Sequence, residues 1–220
     1  MPENAERLIG DSGGASGGVA VSLSQSGRKG VLLGGAVLGL VVFVFGGSYW
    51  AEGGWVHEYV EWLGVCLIVF CILGRTWSSL YIAGRKTAVL VVNGPYSVSR
   101  NPLYFFSIVG AAGIGAQLGS LVLMVLAGAA AWLVFLFVIF KEEQVLREVF
   151  GGQYASYLDR VPRLLPKPSL WVDFERLEIN PAMVLRTFLD ACIFLVSIPI
   201  AEGFESLHEI GLIPVFFRLF

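Results

Sequence analysis

Polar side chains with binding chemistry flank a long apolar stretch of this sequence on both sides. Before the stretch, "GPYSVSRNPLY" at 94–104 holds an arginine, an amide and two tyrosines, and after it Glu142 and Glu143 are adjacent. An arginine suits a carboxylate, carboxylates suit an ammonium or a ribose diol, and aromatic faces suit a flat base or a sulfonium. These residue types predict a site for a small molecule that carries several charges. The set is compatible with S-adenosylmethionine.

The apolar stretch between the two polar segments predicts a helical hairpin. Residues 101–140 contain no charged side chain, and about 20 such residues are needed for one helix to cross a bilayer. The cluster "QLGS" at 117–120 is typical of a turn and divides the stretch into two spans. An antiparallel hairpin returns the chain to the side where it began. We therefore expect Arg100–Tyr104 to lie close to Glu142 and Glu143.

The composition is that of an all-α, polytopic integral membrane protein. Apolar residues make up 56% of the chain, charged residues 15%, and the mean hydropathy is +0.74, against about 45–50% apolar and 25% charged residues in soluble domains. The net charge of −2 gives no indication of a nucleic-acid partner.

We predict no metal site from the sequence. The three cysteines lie in apolar runs without metal-ligand spacing, as small buried side chains do. His57 and Glu61 share one face of a predicted helix, but one histidine and one glutamate do not make a metal site. An interfacial pair is the simpler interpretation.

Five membrane spans are predicted. The first is the uncharged run 30–51, the second covers 56–73, the hairpin supplies the third and fourth, and the fifth covers 184–201. The expected organisation is a disordered tail at 1–27, two helices at 28–74, a catalytic core at 75–166, and a last helix with an amphipathic tail at 167–220. The arginines and lysines between spans would lie on one side, which places the amino terminus and the polar site in the cytoplasm.

Three segments carry a resemblance to a known family. They are "LVVNGPYSVSRNPLY" at 90–104, "EE" at 142–143 and "FGGQYASYLDRVPRLLP" at 150–166. Together they resemble the isoprenylcysteine carboxyl methyltransferase and phospholipid methyltransferase superfamily of integral membrane enzymes, over about residues 74–166. The resemblance implies a helical membrane fold that binds S-adenosylmethionine at its cytoplasmic face, beside membrane lipids and a hydrophobic or lipid-linked methyl acceptor.

The family's motifs fall on defined positions of this chain. The cofactor motif falls on Gly94, Tyr96, Arg100, Asn101, Pro102 and Tyr104, and the acidic pair on Glu142 and Glu143. Many members have histidine at the position of Asn101, and because an amide is no base near neutral pH we assign no base there. The segment "GRTWSSLYIAG" at 74–84 resembles the one that carries a substrate-orienting arginine, which falls on Arg75.

The sequence leaves the acceptor and some simpler interpretations open. A lipid-linked carboxylate, as in isoprenylcysteine O-methylation, is the acceptor expected first, with a phospholipid amine or a small thiol as alternatives. Taken singly, Arg75 and Arg100 could be interfacial anchors. The other classes are a non-enzymatic membrane protein and a membrane reductase. "GAAGIG" at 110–115 only partly matches a dinucleotide fingerprint and follows no strand. Binding of a sulfonium cofactor, of a nicotinamide or of neither would separate these classes.

Overall fold

A computed structural model describes residues 46–50, 54–83, 89–175, 177–215 and 217–219. Within these ranges the chain is mostly helical, as predicted. The elements in chain order are β1 (Gly46–Ser48), α1 (Trp55–Ile82), α2 (Pro95–Val98), α3 (Pro102–Ala116), α4 (Leu121–Arg160), α5 (Pro181–Cys192), α6 (Ser197–Glu209) and β2 (Phe217–Leu219), with 3-10 turns at Pro168–Leu170 and Ile193–Val196.

Three helical runs are long and apolar enough to cross a membrane. They are Trp55–Ile82, Leu121–Arg160 and Pro181–His208, and the shorter apolar helix α3 packs between α1 and α4. The all-α membrane class predicted from composition is therefore confirmed. The predicted tail at 1–27 and most of the predicted first span lie outside the described residues.

The last part of the predicted first span has extended backbone conformation at Gly46–Ser48, so the prediction of a helix there is wrong. Residues 46–48 form β1, which pairs in parallel with β2. Two of its three residues are glycines, each of which costs a helix about 1 kcal/mol relative to alanine. A strand partner from the other end of the chain satisfies their backbone groups instead.

The helical hairpin forms where the sequence predicts it. Helix α3 ends at Ala116 and α4 begins at Leu121. The Ser120 hydroxyl accepts the backbone N–H of Leu123 at 3.2 Å and caps α4. Gly119 in the turn has a φ of +62°, a conformation that favours glycine.

Two helices extend beyond their predicted spans. Helix α1 continues to Ile82, so Arg75 lies inside the helix and not at its end. The charged side chain of Arg75 ends the run of apolar residues, but the backbone hydrogen bonds of the helix continue past it. Helix α4 likewise continues past Glu142 and Glu143 to Arg160, with a break in helical geometry at Gly151. The proline-rich chain after Arg160 is irregular, as predicted.

Candidate active site

Residues 161–175, which follow α4 and form the return loop, fold back over the "GPYSVSRNPLY" segment and hold its backbone. The backbone N–H of Arg100 donates to the carbonyl of Pro162 at 2.9 Å, and the Asn101 side-chain amide donates to the carbonyl of Arg163 at 2.8 Å. Further on, the N–H of Gly94 donates to the carbonyl of Val172 at 2.7 Å. The return loop therefore fixes both ends of the segment.

Gly94 begins the segment in a conformation that other residues rarely adopt. Its φ is +60°, and a Cβ added there would lie 2.2 Å from the ring of Tyr81. The Tyr81 hydroxyl donates to the carboxylate of Asp173 in the return loop at 3.0 Å. A glycine at 94 thus lets the chain turn closely against α1, so that α2 can begin at Pro95.

The two flanks of the hairpin meet, as the topology predicted. The Tyr104 hydroxyl, in the first turn of α3, donates to the Glu142 carboxylate on α4 at 2.8 Å. The Arg100 guanidinium lies 3.4 Å from the Glu143 carboxylate. Pro102 occupies the first turn of α3, where its missing N–H is not needed.

Glu143 is the centre of a buried ion network. It is only 4% exposed, and Arg163 of the return loop donates to both of its oxygens at 3.0 Å while Arg100 approaches from the motif. The hydrogen bonds to Glu143 raise the pKa of Arg163. The Arg163 guanidinium also stacks over the Phe140 ring at 4.5 Å. This carboxylate therefore joins α4, the motif and the return loop.

Arg75 reaches the site from α1. Its guanidinium donates to the Ser107 hydroxyl on α3, which in turn donates to the carbonyl of Leu103 at 2.7 Å. Neighbouring α1 residues Leu73 and Trp77 expose large apolar surfaces. A cation is thus held beside a surface suited to lipid.

Three buried donors in this region have no hydrogen-bond partner among the described residues. They are the Tyr96 hydroxyl and the Nε atoms of Arg75 and Arg100. The Tyr96 side chain is 6% exposed, and the charges of Arg75, Tyr104 and Glu142 all act on it. Burial raises the pKa of Tyr96, so its hydroxyl stays protonated and available as a donor. Since buried polar groups are normally paired, this arrangement suits an added ligand with acceptor atoms.

The residues present fit a molecule with the groups of S-adenosylmethionine. Two guanidinium groups, from Arg75 and Arg100, suit a carboxylate, and the partly exposed Glu142 suits an ammonium or a ribose diol. Tyr104 stacks on Phe135 with ring centroids 4.9 Å apart, which supplies an aromatic wall.

The structure adds residues that were given no role from sequence. Arg163 pairs with Glu143, Ser107 accepts from Arg75, and the Tyr157 hydroxyl donates to the Tyr96 carbonyl at 2.7 Å. The segment "FGGQYASYLDRVPRLLP" at 150–166, which resembles the family, contains both Tyr157 and Arg163, so its tyrosines and its "VPR" could have indicated them. Nothing in the sequence distinguished Ser107 from other small residues of the apolar stretch.

Comparison with known proteins identifies the family. The phospholipid methyltransferase family matches residues 60–153, a range that includes Arg75, the motif at 94–104 and both glutamates. The chain belongs to the phospholipid methyltransferase family. This confirms the resemblance seen in the sequence, and membership points to methyltransferase activity in the membrane.

Two relatives of this phospholipid methyltransferase family member cover most of its length. It is 33% identical over 174 residues to the cobalt-zinc-cadmium resistance protein CzcN of Cupriavidus metallidurans, and the matched residues cover 79% of this chain and 80% of the relative. It is 29% identical over 180 residues to the nickel-cobalt-cadmium resistance protein NccN of Alcaligenes xylosoxydans xylosoxydans, covering 82% and 84%. No solved structure matches the chain.

Proposed function

We propose that the protein transfers a methyl group from S-adenosylmethionine to a hydrophobic, membrane-held acceptor. The observation that carries the proposal is the set of three buried donors without described partners, at Arg75, Tyr96 and Arg100, next to the Tyr104–Glu142 pair. The family match supplies the reaction class.

The site residues divide into two groups under this proposal. Arg100, Tyr96, Tyr104 and Glu142 contact the cofactor through side chains. Gly94, Asn101 and Glu143 shape the cofactor site by fixing the backbone and Arg100, because their own polar atoms or conformations are engaged with the return loop or α1. Pro102 does so by starting α3.

Little acid–base chemistry is required of the protein. S-adenosylmethionine supplies a methyl group on an already activated sulfonium. The task left to the side chains is to hold donor and acceptor in line and to exclude water. No base is assigned, since Asn101 cannot act as one and the Tyr96 phenol is held protonated by burial.

An anionic acceptor fits the charges of the site best. The site holds three guanidinium groups and two carboxylates. Arg100 and Arg163 pair with Glu143. Arg75 instead donates to a serine hydroxyl and pairs with no carboxylate among the described residues. A carboxylate is a nucleophile at neutral pH and would be attracted to Arg75, whereas an ammonium must lose a proton and is repelled. We propose that Arg75 orients a lipid-linked carboxylate whose tail lies against the exposed side chains near Leu73, with phospholipid amines and small thiols as the competing acceptors.

Ligand binding tests the cofactor. Calorimetry with S-adenosylhomocysteine on detergent-purified protein should show binding that Glu142→Gln weakens. Glu148→Gln is the matched control, because it makes the same change at an exposed position of α4. Folded wild type that binds no S-adenosylhomocysteine but binds a nicotinamide would instead support the reductase class.

Transfer of a labelled methyl group tests the acceptor. Prenylated cysteine carboxylate, phosphatidylethanolamine and an alkyl thiol are compared in the same vesicles, and the carboxylate is expected to accept the label. Arg75→Ala should retain cofactor affinity and lose transfer. An Arg75→Ala protein with full affinity and full transfer would refute the role given to Arg75.

We also propose that the site faces the cytoplasm. The polar segments at 74–100 and 141–176, on the two sides of the hairpin, carry ten of the fifteen arginines and lysines, and the positive-inside rule places such segments in the cytoplasm. A single cysteine introduced at the exposed position Ser156, in a cysteine-free background, should resist a membrane-impermeant thiol reagent in intact cells and react after permeabilisation. Equal reaction in intact cells would reverse the orientation.

The names of the two relatives suggest the process that the methylation serves. Both are called resistance proteins for divalent metals. We propose that this chain acts in metal resistance through its transferase activity. Loss of the gene should lower tolerance to cobalt, zinc or cadmium, and a copy carrying Glu142→Gln should fail to restore it, whereas the Glu148→Gln copy should restore it.

A further inference from the structure

A second cluster of ligand-type side chains lies at the other end of α1. His57 and Glu61, one turn apart on α1, meet Glu205 of α6, and one ligand atom from each falls within 4.8 Å of the others. Arg75 lies 18 residues beyond His57 on α1, about 27 Å along the helix at 1.5 Å per residue. The cluster is therefore separate from the candidate active site.

The imidazole occupies a pocket built by three elements. His57 is 3% exposed, and a Cβ added to Gly119 in the α3–α4 turn would lie 1.7 Å from its ring. The neighbouring Gln117 side-chain amide donates to the Glu61 carbonyl at 3.0 Å. Glu61 and Glu205 remain partly exposed, which leaves a path for an ion from solvent.

Negative charge is in excess around the imidazole. Glu58 and Glu202 are close enough that their charges act on Glu61, together with that of Glu205. In the described part of the chain, no lysine or arginine forms an ion pair with Glu61 or Glu205, and each of the two pairs with His57. A bound cation would offset this repulsion.

The spacing of the ligand atoms suits a small transition-metal ion. The His57 Nε2 atom lies 3.4 Å from the Glu205 carboxylate, whereas the Glu61 carboxylate lies 3.8 Å from the other ring nitrogen, Nδ1. An ion held by Nε2 and Glu205 therefore requires Glu61 to turn toward the Nε2 side. Bonds of about 2.0–2.2 Å in a tetrahedral site separate neighbouring ligand atoms by roughly 3.3–3.6 Å. Rotation of the Glu61 side chain would bring the third atom into range. One imidazole with carboxylates is a ligand set that zinc and related divalent ions accept.

We propose that His57, Glu61 and Glu205 bind a divalent transition-metal ion, with Zn²⁺ as the reference cation, at the end of the helical bundle opposite the Arg75 site. Such an ion would join the start of α1 to α6 beside the hairpin turn, and it would leave a coordination position to water. The competing arrangement is a protonated His57 that pairs with both carboxylates and binds no metal.

Metal titration of the full-length protein tests the proposal. The protein is purified in detergent with a tag that lacks histidine, stripped with a chelator, and titrated with Zn²⁺ by calorimetry and with Co²⁺ by visible absorption. One ion per chain is expected, with the intense absorption bands of four-coordinate Co²⁺ and a rise in the thermal unfolding midpoint on addition of Zn²⁺.

Two variants locate the ion. Glu205→Gln should weaken Zn²⁺ binding at least about tenfold. The control Glu202→Gln, at an exposed position three residues earlier on α6, removes a nearby charge but no ligand and should weaken binding much less. Since His57 is buried and its replacement could impair folding, the partly exposed Glu205 carries the test. Absence of binding by monodisperse wild type, unchanged binding in Glu205→Gln, or equal weakening by Glu202→Gln would each overturn the proposal.

Discussion

Replacing Tyr96 by phenylalanine should change stability and ligand affinity in opposite directions. The substitution removes one hydroxyl and keeps the ring. That hydroxyl is buried and has no hydrogen-bond partner among the described residues. A buried polar group without a partner costs the folded state about 1–3 kcal/mol relative to water. The ligand-free Tyr96→Phe protein should therefore be more stable than the wild type, by an amount near the lower end of that range.

In the complex with the cofactor, the Tyr96 hydroxyl is expected to be favourable instead of unfavourable. A hydrogen bond from the Tyr96 hydroxyl to the ligand would contribute about 0.5–1.5 kcal/mol, which corresponds to a loss of affinity of roughly 2-fold to 13-fold in the variant. The two quantities are measured on the same preparation, by thermal unfolding without ligand and by calorimetry with S-adenosylhomocysteine. Tyr59→Phe is the control, because that tyrosine is 70% exposed near the start of α1 and should change neither quantity.

Either of two results would refute the reasoning for Tyr96. A less stable ligand-free variant would mean that the hydroxyl already has a partner in the folded protein. A variant with unchanged S-adenosylhomocysteine affinity and an unchanged transfer rate would mean that the hydroxyl contacts neither cofactor nor acceptor.

Three further predictions concern the ion network, the close turn and alkaline pH. Glu143→Gln should lower stability by about 2–3 kcal/mol in thermal unfolding, because two arginines lose their charged partner in a largely buried network; an unchanged midpoint would contradict this. Gly94→Ala should cost about 2 kcal/mol or more and weaken cofactor binding, since its φ is positive and the new Cβ meets the Tyr81 ring; a protein with wild-type stability and affinity would show that the turn can relax. Burial raises the pKa of Tyr96 above its value in the unfolded chain, so above about pH 10 the unfolded chain ionises first and the folded wild type loses stability as the pH rises further. Thermal unfolding across that range should fall more steeply in the wild type than in Tyr96→Phe, and parallel curves would contradict the burial of the phenol.

The features that the sequence predicted well depend on local pattern and topology. An uncharged stretch of fixed length with "QLGS" in its middle leaves few alternatives to a hairpin, and a hairpin must bring Tyr104 back to Glu142. The length of α1 was underestimated, because hydropathy measures the apolar run, whereas the helix continues past Arg75 to a packed end at which Tyr81 is buried. The strand at 46–48 was missed because its partner lies at 217–219, a pairing that no local pattern predicts.

The features that the sequence missed depend on contacts between distant segments. Arg163 was part of a recognised segment, but its bidentate contact with Glu143 follows from the path of the return loop. His57 and Glu61 were interpreted as a simple pair because Glu205 is far away along the chain, and only the packing of α6 beside α1 brings it within 3.4 Å of the imidazole.

The length of α4 couples the site to the thickness of the bilayer. The helix runs for 30 residues from Leu121 to Phe150, before the break at Gly151, about 45 Å at 1.5 Å per residue, which is half as long again as the roughly 30 Å of hydrocarbon in a membrane. Glu142 lies 21 residues from its start, about 32 Å along the axis, a distance close to the hydrocarbon thickness of a bilayer. In a thicker bilayer the helix must tilt, or Glu142 must enter the acyl region. In a thinner bilayer Glu142 is held farther from the hydrocarbon. Under the proposed function, the length of the lipid chains would therefore set the depth at which a water-soluble cofactor meets a membrane-held acceptor.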